Sequence, residues 1–102
     1  MSRIHTPATV ADAPAASQPL LHAVEKMLGS VPNLFRVVSN SPAALQGYLS
    51  MSGALGNGSL PARTRERIAL AVAEINGCGY CLAAHTYLGE HVAKLDAAEM
   101  RA

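Results

Sequence analysis

Leu20, Leu21, Val24, Met27 and Leu28 recur three and four residues apart, the spacing of one face of a helix. The pattern predicts a helix from about Pro19 to Leu28, closed by Gly29. Val31-Pro32-Asn33-Leu34-Phe35-Arg36-Val37-Val38 reads as a short helical turn or a loop, with Phe35 as a core plug. Ser41-Pro42 predicts the next start, because serine caps free amides and proline suits the first helical position. Leu45, Tyr48, Leu49 and Ser52 share a face of that helix, with Ala44, Met51 and Leu55 alongside. Gly56-Asn57-Gly58-Ser59 is a loop. A further helix is expected from about Pro61 to Ile75. Its stretch from Ile68 to Ala73 is apolar all round, which predicts a central, buried helix. Asn76-Gly77 breaks it. The next helix starts near Cys78 and runs to about Lys94, and Asp96 caps a final turn to Arg101.

These elements make an all-α chain with a central antiparallel helix pair. Pro7 and Pro14 interrupt the Ala-, Ser- and Thr-rich start, so residues 1–17 read as a flexible N-terminal arm and residues 18–102 as one helical domain. Composition agrees. The 102 residues are 50% hydrophobic but only 4% aromatic, without Trp, and Ala, Leu, Val and Met carry the apolar content. That favours close-packed helices over a β-sandwich.

The net charge of +1 and the lack of any long one-sign run argue against a nucleic-acid groove or a membrane-binding face. No segment approaches the roughly 20 apolar residues of a membrane span, and the start lacks the apolar core of a secretion signal. A cytoplasmic protein is expected. Arg63, Arg65 and Arg67, the one basic cluster, are expected to fan across a solvated helix surface, the alternative being an anion or partner-docking site. His22, His91 and Glu74 read as ordinary surface, and His5, in the N-terminal arm, carries no signal.

The chemistry is concentrated in Cys78-Gly-Tyr-Cys81-Leu-Ala-Ala-His85, which holds both cysteines of the chain. On a helix starting near Gly77, Cys78, Cys81 and His85 fall on one stripe. The two sulfurs can then approach closely enough for a disulfide in the first turn. Free amides and the helix dipole favour thiolate there, and by that argument Cys78, nearer the start, is the more acidic thiol. His85 lies one turn beyond Cys81, within reach as a proton acceptor. If the helices fold back around Asn76-Gly77, a rise of about 1.5 Å per residue brings Glu66 level with His85. Glu66 shares a face with Leu70 and Ala73, an apolar setting that would partly desolvate its carboxylate and suit it to carrying protons.

Other uses of these residues have less support. A structural zinc site wants four ligands, and His85 is the one nearby candidate for a third. Buried, inert cysteines are common, but a lone CxxC in a reducing compartment points to catalysis, redox sensing or metal rather than a structural staple. Tyr80, between the cysteines, is either a packing residue or a lid over the thiols.

Glu66, Cys78-x-x-Cys81 and His85 together resemble the signature of the alkylhydroperoxidase D-like family, within the carboxymuconolactone decarboxylase superfamily. The run from Ala73 to His85 is similar to that family's core, and the likeness extends through Val31–Phe35 and Leu60–Arg63 to cover about residues 19 to 95. The resemblance implies an all-α subunit that assembles into homo-oligomers, trimers or hexamers, with active sites near the interfaces. It implies a thiol peroxidase acting on hydroperoxides, with no metal, haem or other cofactor. Cys81 would attack the peroxide, Cys78 would resolve the sulfenic acid as a disulfide, and His85 and Glu66 would relay protons. A dithiol or a lipoylated protein partner would reduce the disulfide. The resemblance ranks Cys81 ahead of Cys78, against the argument from the helix start.

Two features depart from that family. Its best-characterised members have a second histidine between the cysteines, where this chain has Tyr80. Their chains also continue with more helices after the CxxC helix, so this one reads as a fragment or a short variant with apolar surface left to cover. The rival functions are a redox sensor or interaction module without turnover, and a carboxymuconolactone decarboxylase-like enzyme, against which the CxxC argues.

Overall fold

The computed structural model describes residues 3–101, whose regular elements are all helices, with no strand among them. The helices are α1 (Gln18–Leu28), α2 (Asn33–Val38), α3 (Pro42–Gly56), α4 (Ala62–Asn76), α5 (Gly79–His91) and α6 (Ala97–Arg101). Short 3-10 turns at Val10–Asp12 and Ala15–Ser17 precede them. The chain forms two compact units that divide between Leu55 and Gly56.

In the first unit, Ala13, Leu21 and Leu45 form a buried cluster, with Leu20, Phe35, Val38 and Leu49 packed against it. Phe35 plugs this core partly, meeting Tyr48 edge-to-face at 5.8 Å. The α1 stripe is used unevenly. Leu21 and Val24 are buried, whereas Met27 is 70% exposed. Gly29 closes α1 at φ 81°, a left-handed position that glycine takes without strain. Ser41 caps α3 as expected, its Oγ accepting from the Ala44 amide at 3.2 Å.

Residues 3–17, where prolines suggest a flexible arm, are held against this unit. Pro7, Ala13 and Ser17 are buried. The Arg36 guanidinium donates to the Pro7 and Ala8 carbonyls at 3.0 and 2.8 Å, and Asn40 donates to the His5 carbonyl at 2.7 Å. Ser17 Oγ donates to the Ser39 carbonyl at 2.6 Å. A segment with few backbone partners of its own is thus fixed by donors far along the sequence.

The second unit is built on α4 and α5, which fold back on each other as a hairpin and pack extensively. The α4 helix is not buried all round within this unit. Leu70 and Ala73 face inward, while Ile68, Val72 and Ile75 are 49%, 51% and 85% exposed. The α5 helix ends at His91, short of Lys94. The chain turns there because Ala93 and Leu95 are buried, the Leu95 amide returns to the Gly89 carbonyl at 2.8 Å, and Lys94 takes a left-handed φ of 59°. Asp96 and Glu99 then cap α6 reciprocally: Asp96 Oδ1 accepts from the Glu99 amide at 2.8 Å and Glu99 Oε2 from the Asp96 amide at 3.0 Å. Among the described residues no helix is long and apolar enough to cross a membrane.

Candidate active site at the helix joint

The link between α4 and α5 fixes the first cysteine. Gly77 takes a left-handed φ of 64°, its amide donates to the Glu74 carbonyl at 3.1 Å, and the Cys78 amide donates to the Ala73 carbonyl at 3.0 Å. This is the paired bonding of a Schellman ending. The residue that completes it, Cys78, is also the N-cap of α5, where its Sγ accepts from the Cys81 amide at 3.2 Å. One residue therefore ends α4 and begins α5. Its backbone is held from one side and its sulfur from the other.

Cys78 and Cys81 are joined by a disulfide across the first turn of α5, with Cα atoms 5.2 Å apart. Both are half-buried. They line a shallow hollow of about 310 Å³ together with His85 and, from α4, Ala69, Val72, Ala73 and Asn76. His85 Nδ1 lies 2.7 Å from Glu66 Oε2, with the two side chains 34% and 20% exposed. A neutral imidazole in this geometry donates its Nδ1–H to the carboxylate. That leaves Nε2 as an acceptor, with the ring oriented by the acid behind it.

The structure therefore brings Cys78, Cys81, His85 and Glu66 to one place. The hollow can admit a small apolar molecule beside a dithiol and a base. Tyr80, between the cysteines, is 64% exposed and makes neither a packing contact in the core nor a wall of the hollow. Asn76 is the polar wall residue that sequence reasoning treated only as a helix breaker. Its signal is spacing: Glu66, Ala69, Ala73 and Asn76 recur along one stripe of α4. Among the described residues no group of His, Cys, Asp and Glu side chains is gathered so as to hold a metal ion.

The arginine cluster is not simply a solvated fan. Arg63 donates to the Lys94 carbonyl at 2.8 Å and pairs with Glu99, tying α4 to α6. Arg65 donates to the Leu60 carbonyl at 2.6 Å, and Arg67 is exposed.

The model of the carboxymuconolactone decarboxylase family matches residues 42–101, a span that contains α3 to α6 and every residue of the hollow. The chain belongs to that family. No curated protein matches it. Family membership agrees with the all-helical fold and with the close CxxC pair on a helix hairpin.

Proposed function

We propose that the chain is a thiol-dependent peroxidase that reduces hydroperoxides through a Cys78–Cys81 dithiol–disulfide cycle. The observation that carries this reading is the convergence on one hollow of a CxxC pair and a histidine backed by a carboxylate. A base oriented by an acid beside a dithiol is the arrangement that thiolate chemistry needs.

In this reading the cycle starts from the reduced pair. His85 Nε2 takes the proton of Cys81, directly or through water, and Glu66 stabilises the imidazolium. The Cys81 thiolate attacks the terminal peroxide oxygen and the O–O bond breaks. The alkoxide leaves with the proton returned by His85, as an alcohol, and Cys81 becomes a sulfenic acid. The Cys78 sulfur then attacks the Cys81 sulfur, water leaves, and the disulfide forms. An external dithiol, free or carried as a lipoyl group on a protein, takes the oxidation away by exchange and restores both thiols.

The same reading takes Cys81 as the peroxide-attacking thiol and Cys78 as the resolving one. The Cys78 sulfur is engaged with the amide at the start of α5, which suits a residue that waits for its partner to be oxidised. The exposed row of Ile68, Val72 and Ile75 next to the hollow supports a homo-oligomer, trimer or hexamer, that covers α4.

Cys81→Ser tests the assignment. The variant is expected to lose peroxide turnover with a dithiol reductant, while Cys78→Ser forms a sulfenic acid at Cys81 that a dimedone probe traps. Full turnover by Cys81→Ser would refute a peroxidase built on this thiol. Stoichiometric oxidation of the unmodified chain without turnover by any dithiol would instead favour a redox sensor.

A further inference from the structure

A second and larger recess of the second unit lies on the side of α4 away from the cysteines. Arg67, Leu70 and Glu74 face it, whereas Ala69, Val72 and Asn76 face the redox hollow. At about 100° per residue those two sets point nearly opposite ways around the helix. The recess measures about 950 Å³, at the upper end of the size usual for small-molecule sites. Leu82 of α5 and Met100 of α6 add to the apolar lining that Leu70 supplies, and Arg101 of α6 also borders the recess.

The charges around it are unequally committed. Glu99, which also borders the recess, is already paired with Arg63. The side chains of Arg67, Arg101 and Glu74 make no hydrogen bond or ion pair among the described residues. Two uncommitted guanidiniums thus border a recess with an apolar lining, against one uncommitted carboxylate.

We propose that this recess binds a medium-chain organic monocarboxylate. Its tail would lie on Leu70, Leu82 and Met100, and its head would be held by Arg67 and Arg101. A guanidinium presents a planar pair of donors that matches a carboxylate, and two of them define an anion site better than a single lysine does. Glu74, which also borders the recess, opposes a second negative charge, which selects a monoanion over a dianion. The occupied site would tie α4 to α6 through the ligand, adding to the Arg63–Glu99 pair. The proposal does not depend on the peroxidase reading.

The test is a titration of the full chain with decanoate, below its micellar range, followed by the Met100 methyl resonance. Decyltrimethylammonium, with the same tail and the opposite charge, is titrated in parallel. Decanoate is expected to saturate and to shift Met100, and the cation to bind at least roughly tenfold more weakly, the size expected of lost charge-assisted hydrogen bonds. The R67Q/R101Q double variant is expected to lose a similar factor for decanoate, while V72A, in the redox hollow, keeps full affinity. The proposal is overturned if anion and cation bind alike, if R67Q/R101Q binds decanoate undiminished, or if decanoate moves the His85 resonances and not Met100. It is equally overturned if Met100 responds only to protein concentration, which would mean that a second copy of the chain fills the recess. The anion–cation comparison on the unmodified chain decides the matter even where the double variant does not fold.

Discussion

The Cys78 amide donates to the Ala73 carbonyl at 3.0 Å, so the residue that closes α4 is the same one whose sulfur caps α5. The candidate redox pair is therefore built into a helix ending rather than placed on a free loop. Its geometry depends on Gly77, which alone in the joint takes a left-handed backbone, at φ 64°. A Cβ added there meets nothing within 4 Å, so the effect of substitution is backbone strain and not collision. Gly77→Ala is expected to cost about 1 kcal/mol, and Gly77→Asn less. Urea unfolding of the oxidised chain measures it. Equal stability for all three residues would mean that the joint is not held as described.

Glu66 and His85 are expected to act as a unit. Glu66→Gln keeps the shape of the side chain but removes the charge that stabilises an imidazolium. The second-order rate of thiol loss to hydroperoxide is expected to fall by roughly ten- to a hundredfold. Forced oxidation should still form the Cys78–Cys81 disulfide, because the cysteines sit on their own helix joint. A Glu66→Gln chain with an unchanged rate would reduce the 2.7 Å contact to a structural one.

The docking of α6 carries a pH dependence of predictable sign. Glu99 lies below its ordinary value of 4.5, first because the Asp96 amide donates to its carboxylate and next because Arg63 pairs with it. A carboxylate held low in the folded chain contributes stability above its unfolded value, and that contribution is lost as the pH falls through the lowered one. The α6 signals, Met100 among them, should stay constant from neutral pH to about pH 4.5 and loosen only below it. Arg63→Gln should bring the loosening to higher pH. Loosening centred near pH 6 in the unmodified chain would point to a histidine instead.

The N-terminal strap is expected to depend on Arg36. Removing the guanidinium leaves the Pro7 and Ala8 carbonyls without their donor. Arg36→Ala should cost about 1–3 kcal/mol and expose residues 3–17 to proteolysis, read by the rate and position of the first cleavage. An arm cut equally fast in both proteins would mean that it is free before the substitution.

What was legible in the sequence was local. Ser41, Asp96, Gly29 and Gly77 each govern a helix end through atoms within a few residues, and each does so where its chemistry indicated. The convergence of Glu66 with His85 was readable because it needs only helix rise and one tight reversal. What was hidden is non-local. Arg36 and Asn40 find backbone carbonyls some thirty positions away, and Arg63 finds Glu99 across the hairpin, with nothing in the spacing to indicate the partner. The end of α5 moved because burial of Ala93 and Leu95 outweighs continued helix. The run from Ile68 to Ala73 signals that a helix wants cover on all sides, but composition does not say what supplies it, and within its own unit only Leu70 and Ala73 are covered.

The central claim, that Cys78 and Cys81 cycle at the expense of peroxide, is tested most directly by counting thiols. The fully reduced chain is treated with one equivalent of an organic hydroperoxide, and the product is mapped by mass spectrometry. The account predicts rapid loss of both thiols, one equivalent of alcohol, and a single Cys78–Cys81 disulfide. Both thiols left intact, with the fold preserved, would contradict it.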